Sequence, residues 1–279
     1  MTSSPQTPKD LWDPNEILDD SLILSTTDKT DDEIAELLEL REEEDFWDGL
    51  TIGGPVPPLF PKQKSNGILI VGKAPGTAEA AHGEPFTGPS GRLLDKILDR
   101  CNIVRNETTF TNAFRMQPAW TTNAEGKKTN NDVSLFFTPD ISQGNARLPP
   151  FNNMFVKTGP DTHIRDLWKL ARQMRPRLII GLGKIAAWAL TGEATIQGRT
   201  GMPLLNEPIT LNHGNPPIFL TNHPAYALHK NSEAIGLQIA ADIKDAYTYM
   251  LEQEAQATKE AEEAQKTNSN TPPASTQPI

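Results

Sequence analysis

Four short apolar segments separated by helical patterns constrain the fold of this 279-residue chain most strongly. The segments are Gly67–Val71, Thr108–Asn112, Arg177–Gly181 and Pro217–Asn222. Strands that are buried on both faces read as uninterrupted apolar runs, and their alternation with helices favours a parallel sheet covered on both sides. We therefore predict an α/β fold, a three-layer α/β/α sandwich around a central, mostly parallel four-stranded sheet.

The helical patterns lie between and after these strands. Apolar residues recur with helical period in Arg92–Cys101, His163–Met174, Lys184–Leu190 and Ser232–Leu251. Ser90 is predicted to be the N-cap of the first of these helices, because serine is a favoured capping residue.

Charge divides the chain into three parts. The net charge is −10, but residues 1–66 carry −11, residues 252–279 carry −3 and residues 67–251 carry +4. We predict that 1–66 is an acidic, largely disordered arm with a short amphipathic helix near 31–41. Residues 67–251 form the folded domain, with 119–160 as a long surface insertion, and 252–279 form a disordered tail. The arm is expected to regulate the protein itself by competing for the basic body, or to bind a protein partner.

Several classes of protein are excluded by composition. The single cysteine, Cys101, rules out a disulfide framework, a four-thiolate iron–sulfur cluster and a cysteine-rich zinc site. The five histidines have no ligand spacing, so neither a metal nor another cofactor is predicted. The chain has no run of 18 uncharged apolar residues, and its first residues lack the order of a signal peptide. We expect a soluble protein with no membrane contact, in the cytoplasm of a bacterial or phage-infected host cell.

Ligands of parallel sheets bind beyond the carboxyl ends of the strands, which directs attention to the loops there. The first loop, Gly72–Gly91, is rich in glycine and precedes a helix, which suits an anion such as phosphate or a tight turn needed for packing. It matches neither the phosphate loop of nucleotide hydrolases nor the dinucleotide-binding fingerprint, which disfavours a nucleotide-binding Rossmann protein. Phe86 within this loop is either a core residue or a platform on which a planar base stacks.

Three further side chains stand at strand ends. The amide of Asn112 can read a pyrimidine edge, although an Asx turn or a cap is the commoner role of such a residue. His223 could donate a hydrogen bond to a developing anion, or be a surface histidine in a turn. Tyr226 and Leu228 follow on a short loop, where exposed apolar side chains suit a wedge that enters a base stack.

The sequence resembles the uracil-DNA glycosylase superfamily, and most closely its family 4 branch, over roughly residues 67–250. The resemblance rests on Val71–Leu98, Thr109–Pro118, Arg175–Gly192, Gly198–Gly201 and Leu220–Lys230. It implies a glycosylase that flips a uracil or a modified pyrimidine out of DNA and hydrolyses its N-glycosidic bond. The alternative is a catalytically inactive, DNA-binding protein of replication or repair on the same scaffold.

Roles follow from the resemblance residue by residue. Phe86 would stack on the flipped base, Asn112 would bind its Watson–Crick edge, and His223 would stabilise charge on the departing base. The first motif, with Gly72, Ala74, Pro75 and Gly76, would line the base pocket. The residues expected to contact DNA are Ser90, Gly91, Arg92, Lys184, Tyr226, Ala227 and Leu228.

Two positions depart from family 4. Its members carry four cysteines around an iron–sulfur cluster, whereas Met116 stands where one is expected and Cys101 is alone. Lys73 stands where family 4 usually has a catalytic glutamate. Three explanations remain open. Glu79 or Glu84 supplies the negative charge while Lys73 contacts phosphate. Lys73 recognises an altered base with a negative or acceptor-rich substituent. The site is catalytically inactive, and the protein binds DNA or blocks other repair.

Overall fold

The computed structural model describes residues 49–62, 64–122, 124–127, 133–201, 203 and 216–269. Its strands are β1 (Thr51–Ile52), β2 (Ile68–Gly72), β3 (Thr109–Asn112), β4 (Gln117–Pro118), β5 (Phe137–Thr138), β6 (Phe155–Val156), β7 (Leu178–Leu182) and β8 (Ile218–Thr221). Its helices are α1 (Thr77–His82), α2 (Pro89–Arg100), α3 (Asp161–Met174), α4 (Lys184–Thr191), α5 (Pro224–Lys230) and α6 (Glu233–Ser269). The part of the arm expected near 31–41 lies outside the described residues.

The central sheet has four parallel strands in the order β3-β2-β7-β8. Every residue of these strands is buried, which explains the apolar character of β2, β7 and β8, whereas β3 buries two threonines and Asn112 beside Phe110. All four strands lie within two residues of their predicted bounds. The predicted α/β class and the central four-stranded sheet are therefore confirmed.

Alternate residues of the strands pack into two cores on opposite faces of the sheet. Leu69 and Val71 of β2 pack with α3 and α4, whereas Ile68 and Ile70 pack with α2, α5 and α6. This alternation follows from the two-residue period of a strand. The molecule is thus a three-layer sandwich, with the sheet between two helical layers.

The amino-terminal boundary differs from the prediction, because residues 49–62 belong to the folded body. β1 pairs with β4, and the amide and carbonyl of Leu59 exchange hydrogen bonds with Phe110 on the edge strand β3. Val56 is buried as well. The prolines of this segment suggested an unfolded arm, but proline is compatible with an extended strand at a sheet edge. The folded part starts before residue 67.

The prediction that 119–160 is a surface insertion is wrong for four of its apolar residues. Phe136, Phe137, Leu148 and Val156 are buried in the core that contains α3 and α4. The ring of Phe137 lies 5.3 Å from that of Trp188 on α4, in an edge-to-face contact. Polar and proline residues surround these four. The average composition of the segment is therefore typical of a surface, and its buried apolar residues were missed.

Two helix ends also differ. α2 starts at Pro89 with Gly88 as its N-cap, so Ser90 lies inside the helix, because proline is favoured at the first helical position. The predicted disorder from 252 is wrong for residues 252–269, over which α6 continues. Alanine, glutamate, glutamine and lysine fill this stretch and are strong helix formers.

Among the described helices, none combines the length and the hydropathy needed to span a bilayer.

Candidate active site

The carboxyl ends of the central strands bring the predicted site residues to one edge of the sheet. Gly72 ends β2 and is the register partner of Asn112, which ends β3. β7 leads into Gly183 and α4, and β8 leads into His223 and α5. Because the four strands are parallel, these ends share the same edge.

Gly72 allows two of these side chains to approach the backbone closely. A Cβ atom at this position would overlap Asn112 Oδ1 and would lie 2.7 Å from Cζ of Phe86. No other residue leaves room for both groups, so the glycine is required here for packing. The amide of Asn112 and the ring of Phe86 consequently lie side by side over the end of β2.

Phe86 has an unusual backbone that its neighbours hold in place. Its φ of 59° is in the left-handed region, which costs free energy for a residue with a side chain. Arg105 donates to the carbonyls of Pro85 and Phe86 at 3.2 and 3.4 Å, and a Cβ atom at Gly91 would overlap the carbonyl of Phe86. Sequence analysis missed Arg105, which lies outside every motif that we used.

The ring of Phe86 joins the core to the site. It is 4% exposed and contacts Phe110 edge-to-face at 5.8 Å, so it has the core role that we considered. On the site side, its centroid lies 6.3 Å from that of His223, with the two rings 21° from parallel. Asn112, Phe86 and His223 therefore converge from three separate stretches of the chain.

His223 is the N-cap of α5, and its hydrogen bond fixes the tautomer of the ring. The backbone amide of Ala225 donates to Nδ1 at 3.1 Å, so Nε2 carries the proton of the neutral imidazole. Enclosure by the protein lowers the pKa of His223 to about 4, and the positive charges of Lys73 and then His229 add to this effect. At neutral pH the ring is an uncharged donor. Gly183 lies against it, where a Cβ atom would be 3.2 Å from that of His223.

Of the two acids proposed to supply negative charge, Glu79 is held in place by backbone amides of the first loop. Its carboxylate is buried and accepts hydrogen bonds from the amides of Gly76 and Gly88, at 2.9 and 3.3 Å. These bonds join the start of α1 to the start of α2. Glu84 is exposed on the same loop. Lys73 is half-buried and interacts electrostatically with His223.

Comparison with known proteins identifies the family. The family model for the uracil DNA glycosylase superfamily matches residues 57–246, which is more than half of the chain. The chain belongs to this superfamily.

Two relatives within the superfamily support the expected branch. The chain is 29% identical over 169 residues to a Type-4 uracil-DNA glycosylase of Pyrobaculum aerophilum, covering 59% of this chain and 69% of the relative. It is 39% identical over 51 residues to a Type-4 uracil-DNA glycosylase of Archaeoglobus fulgidus, covering 18% of this chain and 26% of that relative. The family 4 likeness expected from the motifs is confirmed.

Met116, which stands where the family 4 resemblance implied a cluster cysteine, lies in apolar surroundings. Met116 is 6% exposed and packs in the core that the aromatic residues of 119–160 help to form. Cys101 lies in the core on the opposite face of the sheet, where burial raises the pKa of its thiol. Within the described ranges, no three histidine, cysteine or acidic side chains are close enough to hold a metal ion.

The residues expected to contact DNA differ in how far they are exposed. Arg92 on α2 is exposed, and Tyr226 and Leu228 on α5 are 45% and 47% exposed. Ala227 between them is 5% exposed and packs in the core, because successive residues of a helix point in different directions, so its predicted DNA contact is wrong. The segment is a helix rather than the expected loop. Ser90 is half-buried, and Gly91 is buried under Phe86.

A cleft of about 830 Å³ lies beside His223 and continues the site. Its walls include Lys184 at the start of α4, the exposed ring of Tyr226 and the segment Glu193–Gln197. The cleft is far larger than one pyrimidine, and among the predicted site residues it is lined by His223, Lys184 and Tyr226 but not by Phe86 or Asn112.

Proposed function

We propose that this protein is a DNA glycosylase that flips uracil or a modified pyrimidine from DNA and hydrolyses its N-glycosidic bond. A base inside a duplex is unreachable, and its extrusion costs only a few kcal/mol when a pocket and a wedge replace the lost stacking. Phe86 offers a stacking surface, Asn112 offers a donor and an acceptor, and Tyr226 and Leu228 are the exposed wedge. DNA is accordingly the proposed partner.

The observation that carries the proposal is the convergence of three groups around Gly72. The side chains of Asn112 and Phe86 meet over this glycine, and the ring of Phe86 faces that of His223. A pyrimidine needs a hydrogen-bonding edge, an aromatic face and a donor near the oxygen that gains charge during bond cleavage. The three residues supply one each. The names of the two Type-4 relatives support uracil as the first base to test.

The test is a panel of single- and double-stranded oligonucleotides that contain uracil, 5-substituted pyrimidines, hypoxanthine or xanthine. We expect alkali-labile sites at uracil or at one of the modified pyrimidines. The matched control is Asn112→Ala, which should bind the same DNA but release the base much more slowly, because polar groups of the base lose their partners. Intact binding by the wild-type protein without strand scission on any substrate would overturn the proposal.

Lys73 favours one second candidate, an inactive DNA-binding protein on the glycosylase scaffold. A cation near the sugar opposes the positive charge that builds there as the bond breaks. If this candidate is correct, the wild-type protein is inert and Lys73→Glu gains activity on uracil. If the glycosylase proposal is correct, the wild-type protein is active and Lys73→Glu does not improve it.

A further inference from the structure

Lys73 lies at the centre of the sheet edge that carries the site. It directly follows Gly72, over which Asn112 and Phe86 meet, and its backbone carbonyl accepts a hydrogen bond from Phe114 at 3.0 Å. This bond continues the pairing of β2 and β3 by one step, so the backbone of Lys73 is fixed beside the site. The side chain is half-buried, which keeps its charge in partial contact with solvent.

The charge of Lys73 acts at the position of His223. The pKa of His223 is lowered first by burial and then by the positive charge of Lys73. The ammonium group of Lys73 repels the positive charge that the imidazole ring would gain on protonation. The same field favours a negative charge at that place. His223 presents its Nε2 donor there, since Nδ1 is occupied by the amide of Ala225.

Glycosidic hydrolysis creates a negative charge of this kind. The C1′–N1 bond breaks, its electron pair goes to the base, and the sugar becomes positively charged. Water then adds to C1′, and the proton that it loses ends on the departed base. A protein can lower the barrier by stabilising either the sugar cation or the base anion, and a lysine can do only the second.

We propose that Lys73, together with the Nε2 donor of His223, stabilises the negative charge of the departing base. The inference rests on the proposed glycosylase function and assigns to Lys73 a role opposite to that of an acid which stabilises the sugar. It also selects a substrate class. Bases that leave as anions, such as uracil and other pyrimidine-2,4-diones, are favoured, whereas cytosine and adenine are disfavoured, because they leave more readily after protonation.

The test compares two leaving groups of nearly equal size, uracil and 5-fluorouracil, in single-turnover reactions at saturating enzyme. Fluorine withdraws electrons, so 5-fluorouracil leaves more easily and needs less help. In Lys73→Met we expect the rate constant to fall roughly tenfold for uracil and clearly less for 5-fluorouracil. Lys73→Gln is a second neutral variant in case the methionine disturbs folding.

The control and a second measurement separate this role from a structural one. Lys62→Met removes the same charge from an exposed residue near the start of β3, at the opposite edge of the sheet, and should leave both rates unchanged. The NMR titration of His223 should show a higher pKa in Lys73→Met than in the wild-type protein, whether or not DNA is present.

Each other outcome has a distinct meaning. Equal losses on the two bases together with weaker DNA binding would make Lys73 a phosphate contact, which overturns this inference but leaves the proposed function intact. Unchanged rates, or an unchanged pKa of His223, would overturn it as well. A wild-type protein that releases neither base would overturn this inference, whereas the proposed function falls only if no substrate of the oligonucleotide panel is cleaved.

Discussion

Three glycines shape the site because they let other groups approach the backbone closely, rather than by forming bonds themselves. Gly72 lets Asn112 and Phe86 meet, Gly183 admits His223, and Gly91 leaves room for the strained backbone of Phe86. Each of these glycines stands at a strand end or a helix start, where two segments cross. The geometry of the site is therefore sensitive to a single added methyl group.

We predict that Gly72→Ala abolishes most base release. The new methyl group would overlap Asn112 Oδ1 and the ring of Phe86, so both groups must move away from the base. A displacement of about 1 Å in a site of this kind costs on the order of 100-fold in rate, and the overpacking costs about 1–3 kcal/mol of stability. Single-turnover rates and urea unfolding measure the two effects.

Gly54→Ala is the matched control, because nothing lies within 4 Å of a Cβ atom at that position. It should leave both the rate and the free energy of unfolding close to the wild-type values. An unchanged rate in Gly72→Ala would contradict the close approach of Asn112 and Phe86.

At the scale of elements, the sequence predicted the helices and strands better than the loops that connect them. The central strands were predictable because burial on both faces leaves an uninterrupted apolar run. Asn112 and His223 were predictable because Asn112 ends one predicted strand and His223 directly follows another. The strained backbone of Phe86 and its support by Arg105 were not, since they depend on contacts between residues distant in sequence. The buried aromatic residues of 119–160 were missed because polar neighbours surround them.

Glu79 illustrates how one buried side chain can join two elements. We predict that Glu79→Ala lowers the free energy of unfolding by about 1–3 kcal/mol, because the amides of Gly76 and Gly88 lose their acceptor. Glu84→Ala, which changes an exposed acid of the same loop, should have little effect. Urea unfolding measures both variants.

Glu79→Gln then separates positioning from charge. Its amide oxygen still accepts a hydrogen bond, so we expect base release closer to that of the wild-type protein than in Glu79→Ala. A Glu79→Gln variant that is stable but inactive would instead mean that the carboxylate supplies negative charge to the reaction, as one of the three explanations for Lys73 holds.

At the scale of the whole molecule, the excess of acidic residues lies in one part of the sequence. Residues 1–48 hold 16 acidic and 3 basic residues, and the rest of the chain carries a net charge of +3. The proposed DNA surface around Arg92 and Lys184 belongs to the second part. Because residues 49–62 pack on the body, a deletion intended to remove only the arm must end at residue 48 rather than near residue 60.

We predict that deletion of residues 1–48 tightens DNA binding at low salt and that the gain shrinks as salt rises. An acidic segment tethered to a basic surface competes with phosphates for it, and salt screens exposed charges over about 10 Å at 0.1 M. Fluorescence anisotropy at several salt concentrations measures the effect. The full-length variant with Glu42, Glu43 and Glu44 changed to glutamine removes charge without changing length, so it should reproduce part of the gain. Equal affinities for all three proteins would exclude competition and leave the arm as a segment that binds a protein partner.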